Sequence, residues 1–106
     1  MSPRDSVGPV FAALADPTRR HVIRLLARAG DVTATELAGE LPMSRQAVCK
    51  HLAVLEDAGL VGATRTGREV RYRLAPENLD SAMRWMADVG SRWDERLRAL
   101  QRHVRR

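Results

Sequence analysis

The sequence holds a single cysteine, Cys49, in 106 residues. That excludes an intramolecular disulfide and any intrachain zinc cage built on thiolates. Lysine is almost missing: of 18 basic residues only Lys50 is lysine. Aromatic residues make up just 4%. No run of 18 apolar residues occurs, and no charged segment leads into a signal-like apolar stretch. The reading therefore includes no membrane span and no secretory signal, and the expected compartment is the cytoplasm. No nucleophile–base constellation, phosphate-cradling loop or metal cage is visible, so neither an enzyme nor a cofactor is expected.

What remains is an ordinary soluble composition with a basic bias. Hydrophobic residues are 44% and charged residues 29%, with a net charge of +5 and a pI near 10.9. A chain of this length holds one domain, residues 1–106, with a thin core that a second copy would help to complete. The ends, Met1–Asp5 and Arg102–Arg106, are expected to fray. Excess positive charge permits a polyanionic partner without showing one.

Helical spacing begins with Val7, Val10, Phe11 and Leu14, one apolar stripe on a short first helix. Asp16-Pro17 reads as an N-cap followed by proline at the first helical position. The second helix turns Val22, Ile23, Leu25 and Leu26 inward and ends at Gly30. Thr33 and Glu36 form a capping box that opens a third helix, with Leu37, Ala38 and Leu41 inside. Pro42 stops it, and Ser44 caps a fourth helix over 44–58 that buries Val48, Leu52 and Leu55. A connection this short forces the two helices to cross steeply, as in a helix-turn-helix.

The period then changes from helix to strand. Val61, Ala63 and Arg65, then Val70, Tyr72 and Leu74, alternate at spacing two around Gly67. This predicts a two-stranded hairpin over 61–74 with an arginine-rich tip. A final helix runs from about 77 to 103. Leu79, Met83, Met86, Gly90, Trp93, Leu97, Leu100 and Val104 trace an unbroken heptad seam along it. Trp85, Ala82 and Val89 widen that seam. Glycine inside a helix costs about 1 kcal/mol relative to alanine, and close approach of two helices would explain Gly90.

The expected fold is mainly α with a small β-hairpin, in the order helix, helix, helix, helix, strand, strand, helix. Several stretches in that order resemble the ArsR/SmtB family of winged helix-turn-helix repressors. Leu14-Ala15-Asp16-Pro17-Thr18-Arg19-Arg20 with Ile23-Arg24-Leu25-Leu26 looks like the family's opening signature. Ser44 to Leu52 looks like its recognition helix, and Leu55 to Val61 with Gly67 to Leu74 looks like the helix end and wing. The resemblance spans about Val7 to Leu100. It implies a homodimer formed through the first and last helices. Val7, Val10, Phe11, Leu79, Met83, Met86, Gly90, Trp93, Leu97 and Leu100 are the residues assigned to that interface.

With Val48, Leu52 and Leu55 inward, Gln46, Cys49, Lys50 and Ala53 are expected to point outward from the fourth helix. Such a helix fits the major groove of double-stranded DNA. Ser44 and the unpaired N–H groups beside it suit a phosphate. Arg45 suits guanine and Gln46 adenine, each by a paired hydrogen bond. Lys50 and His51 suit phosphates or the groove edge. Arg65, Arg68 and Arg71 on the hairpin suit a minor groove or phosphates, with Arg73 on the same outer row as Arg71. Residues 44–73 carry three of the five net positive charges.

Sensing is a separate question. Where the family places a thiolate metal site, this chain reads Thr35-Glu36-Leu37-Ala38-Gly39-Glu40. In the last helix, where the family pairs histidines with carboxylates, the only histidine is His103. The expectation is a regulator of the non-metal-sensing type, with no metal site. Cys49 takes a position where the family commonly has serine, and is a candidate redox sensor. The favoured reading is a repressor that binds an inverted repeat. A protein–protein scaffold and an architectural protein without sequence preference are the alternatives.

Overall fold

Caps and breakers divide the chain largely as the sequence pattern predicts, with one added strand. The third helix ends at Gly39, so that Leu41 is buried from the turn that follows and Pro42 does not stop the helix. The computed structural model describes residues 3–104. Helices α1 (Pro3–Leu14) and α2 (Pro17–Ala29) are followed by β1 (Val32–Thr33), α3 (Ala34–Gly39) and α4 (Arg45–Asp57). Strands β2 (Val61–Thr66) and β3 (Glu69–Leu74) and the long helix α5 (Glu77–Val104) complete it. Pro3–Asp5 and Arg102–Val104, expected to fray, belong to α1 and α5; Met1, Ser2, Arg105 and Arg106 lie outside the described residues.

The caps have direct geometric support. The Asp16 carboxylate accepts hydrogen bonds from the Thr18 and Arg19 N–H groups at 2.7 and 3.3 Å. The Thr18 hydrogen bond is the main reason its pKa lies below the usual aspartate value. Gly30, at φ 82°, closes α2. Arg19 and Arg20 reach back to the end of α1. Arg19 Nε donates to the Ala13 carbonyl at 2.7 Å and Arg20 to that of Leu14 at 2.6 Å. The opening signature is thus a joint between two helices, with arginine forks satisfying carbonyls that α1 leaves unpaired.

The expected two-stranded hairpin is one part of a three-stranded antiparallel sheet in the order β1-β3-β2. Val32 pairs with Tyr72 and Thr33 with Arg71. A strand of two residues carries no alternation, so pattern alone had nothing to detect. Gly67, at φ 62°, stands first in the two-residue turn between β2 and β3, where a hairpin needs a left-handed residue.

The core lies among α1, α2, α3, α4 and the base of the sheet. Val10, Val22, Val48, Leu26, Leu52 and Leu55 are its largest fully buried side chains. Ala82 is the buried residue of α5, and Phe11 meets Trp85 edge to face with ring centroids 5.6 Å apart. Beyond that contact α5 runs on as an arm, and the molecule measures 68 × 32 × 20 Å.

Two residues assigned to the dimer face are corrected here. Val10 is fully enclosed and Val7 is buried. They hold α1 to its own chain and offer no surface to a partner.

Candidate nucleic-acid interface

Helix α4 starts where Ser44 leaves the extended region and its hydroxyl accepts the Ala47 N–H at 3.1 Å. That cap fixes the first turn, from which Arg45 and Gln46 emerge exposed. Val48, Leu52 and Leu55 lock the opposite face into the core. Lys50 and Ala53 are exposed on the outer side with Gln46, as spacings of three and four require. A rigid helix with a polar outer row and free N–H groups at its start is suited to enter a major groove.

Two of the expected contacts turn aside. Cys49 is half-buried, packs against the core and lines the cleft between α4 and the sheet. That cleft encloses about 480 Å³ and includes Thr35, Arg45, Arg68 and Tyr72. Burial, chiefly, and the nearby Cys49 and Glu56 raise the pKa of the Tyr72 phenol. Cys49 thus faces the cleft beside the wing and is not a member of the outermost row. His51 is also half-buried, and its charge helps to lower the pKa of Asp16 at the start of α2. It sits toward the α1–α2 joint.

The wing divides its arginines into two groups. In the β2–β3 register Ala63 pairs with Tyr72, Arg65 with Val70, and Thr64 with Arg71. Strand alternation therefore puts Arg65 on the Tyr72 face and Arg71 and Arg73 on the other. Arg65 and Arg68 are exposed at the tip.

Arg71 is enclosed by carboxylates. Its guanidinium lies 2.8 Å from Asp31, 3.1 Å from Glu69 and 3.7 Å from Glu36, and donates to the Asp31 carbonyl at 3.1 Å. The Asp31 hydrogen bond is the first cause of its raised pKa. Arg73 donates to the Thr64 hydroxyl across the hairpin. The expectation of Arg71 on DNA is corrected accordingly: it fastens the wing to the segment leading into α3. Asp31 lies 40 residues away in sequence, and only the β1–β3 register reveals the pairing.

A capped helix locked by its inner face, a short helix packed before it across a turn and a basic hairpin beside it define a winged helix-turn-helix transcriptional regulator. Known proteins place it further. Residues 14–61 match the family described as "Helix-turn-helix domain". The chain is 37% identical over 87 residues to the arsenic resistance transcriptional regulator of Pseudomonas putida, covering 79% of this chain and 68% of that one. It is 33% identical to the transcriptional repressor SdpR of Bacillus subtilis, over 83% of this chain and 97% of that protein. Among solved structures, an ArsR-like transcriptional regulator from Rhodococcus sp. RHA1 superposes with a TM-score of 0.82 at 41% identity, covering 93% of this chain and 92% of that one. A homodimeric winged helix-turn-helix DNA-binding domain from Mycobacterium bovis gives 0.65 at 33% identity, over 88% and 82%. The chain belongs to the ArsR family of transcriptional regulators.

Proposed function

We propose that the protein is a homodimeric, sequence-specific transcriptional repressor that reads an inverted repeat. The observation that carries this reading is the exposed pair Gln46 and Lys50 on the outer row of α4, with Arg45 exposed at the helix start on the side of the wing cleft, on a helix whose inner face is locked by Val48, Leu52 and Leu55. Arg45 pairs with guanine O6 and N7, Gln46 with adenine N6 and N7, and Lys50 with a phosphate. The start of α4 at Ser44 takes a backbone phosphate. Arg65 and Arg68 at the wing tip reach phosphates or a minor groove.

The second copy docks on α5. Along this helix Met83, Met86, Trp93, Leu97, Leu100 and Val104 are all exposed, Trp93 to 63%. A contiguous apolar stripe of that kind marks an interaction surface, and a heptad seam suits another helix of the same kind. Gly90 lies open on it, with nothing near the place of a β-carbon, which leaves room for a close approach. The M. bovis relative, whose domain is homodimeric, supports a dimer without saying which helices form it. Two recognition helices would then lie about 34 Å apart, one turn of DNA.

We read the regulator as one of the non-metal-sensing type, because Thr35–Glu40 holds no cysteine or histidine and His103 is the only histidine in the last helix, a donor set poor in the nitrogen and sulfur ligands such metals need. Cys49 is the position for redox control, because an oxidised sulfur in the cleft would wedge α4 from Tyr72. Oxidant-sensitive DNA binding that persists in Cys49→Ser would refute that role. No helix among the described residues is long and apolar enough to cross a membrane.

Fluorescence anisotropy against inverted-repeat duplexes selected from random sequence tests the whole reading. Preference over a scrambled duplex by about 10³ or more is expected. No binding at about 100 mM salt would overturn it and leave a protein–protein scaffold in its place.

A further inference from the structure

Recognition helix α4 ends in a tight motif. The Gly59 N–H donates to the Glu56 carbonyl and the Leu60 N–H to that of Leu55, both at 2.9 Å. Gly59 has φ 74°, and this pattern reverses the chain while satisfying two of the last carbonyls. Asn78, in the first turn of α5, donates from Nδ2 to the carbonyl of Ala58 at 3.0 Å.

The Asn78 amide also fills the space above Gly59. A β-carbon there would stand 2.1 Å from Nδ2 and 3.0 Å from Cγ. Gly59 is therefore required by its backbone conformation, and a β-carbon there would also push the Asn78 amide from its place. Just beside this joint, the Ala75 N–H donates to the Leu60 carbonyl at 2.9 Å. The end of the DNA-reading helix, the base of the wing and the start of the long arm thus meet in one joint. Asn78 spans it with a hydrogen bond, beside the apolar cluster of Leu79 with Leu60 and Leu74.

We infer that Asn78 is a positioning residue which fixes the angle between α4 and α5, and so sets the half-site spacing the dimer accepts. The inference rests on the homodimeric DNA-binding reading. If copies join along α5, every degree of freedom between α5 and α4 is doubled across the two-fold axis. A loose joint would let the recognition helices sample several separations. A closed one selects a single spacing, which is where the specificity of a palindrome reader resides.

The test uses the full chain with Cys49→Ser and Ala53→Cys, spin-labelled on the exposed face of α4, and reads the label–label distance by pulsed electron spin resonance without DNA. A narrow distribution is expected, which Asn78→Ala broadens or shifts while dimer mass and helical circular dichroism are kept. In parallel, preference for the selected operator over one with a single inserted base pair should fall about fivefold, the worth of one hydrogen bond. Asn78→Asp, equal in shape but without the donor, should behave like Asn78→Ala and serves if the alanine variant misfolds. An unchanged distance distribution in a folded variant overturns the inference even if melting temperature drops. Loss of helical signal in both variants also overturns it, making Asn78 a determinant of folding alone. A labelled parent chain with Asn78 intact that gives no label–label distance overturns the dimer reading and this inference with it; DNA binding without altered spacing preference overturns this inference alone.

Discussion

The body of the protein and its arm are built from similar apolar residues and treat them in opposite ways. In the body, Leu26, Leu52 and Leu55 are sealed within their own chain. Along α5 past Trp85, Trp93, Leu97 and Leu100 lie between 44% and 63% exposed, on a helix of 28 residues. The body satisfies its hydrophobic pattern by itself, whereas the arm leaves its pattern to be completed from outside. An apolar period therefore predicts a helix face and says nothing of which chain will cover it.

Breaking the body should have the largest effect. Leu52→Ala should lower unfolding free energy by about 2–5 kcal/mol, seen in denaturant titration as a loss independent of protein concentration. Breaking the arm should act differently. Trp93→Ala, at an aromatic anchor, should weaken self-association by about 2 kcal/mol or more. In sedimentation this should appear as a dimer becoming monomer, with a melting temperature that no longer depends on concentration.

The DNA face sharpens the comparison further, because it belongs to the body yet has to act through the arm. Arg45→Ala should reduce operator affinity by about 1–3 kcal/mol and relax preference at one base pair, with dimer mass unchanged. Two of the wing arginines should separate by salt. Arg68→Ala should lower the slope of log affinity against log salt by about 1. Arg71→Ala should weaken binding by loosening the wing while leaving that slope near the wild-type value.

The smallest effect concerns acid. Because Thr18 and Arg19 hold the Asp16 pKa below its ordinary value, the cap's contribution is complete above that value and is lost as pH falls through the lowered one. Between pH 5 and pH 2 the melting temperature of Asp16→Asn should fall less than that of the wild type. Equal slopes would show that the cap does not titrate.

Much of this was legible in residue order. Asp16-Pro17, Thr33 with Glu36, Ser44, Gly30, Gly59 and Gly67 mark helix ends and a turn through short-range chemistry, and each occupies the role its type predicts. What escaped was set by tertiary register. Arg71 reads as a basic wing residue until β1 brings Asp31 beside it. Cys49 reads as outward-facing until the sheet closes a cleft over its side of α4. Val7 and Val10 read as a free stripe until α1 is seen packed into the body. Asn78 gave no signal, since its partner is a backbone carbonyl 20 residues earlier.

The scarcity of lysine has a practical meaning now that Lys50 is located. The side chain is exposed on the outer row of α4, and the sequence has no other ε-amine. Reagents or enzymes that acylate amines therefore meet, chain terminus aside, a single target, and it lies on the surface proposed to face the operator. Acetylation there would remove a positive charge from the reading helix itself. Protection of that one amine by duplex DNA would report occupancy residue-specifically, without any engineered label.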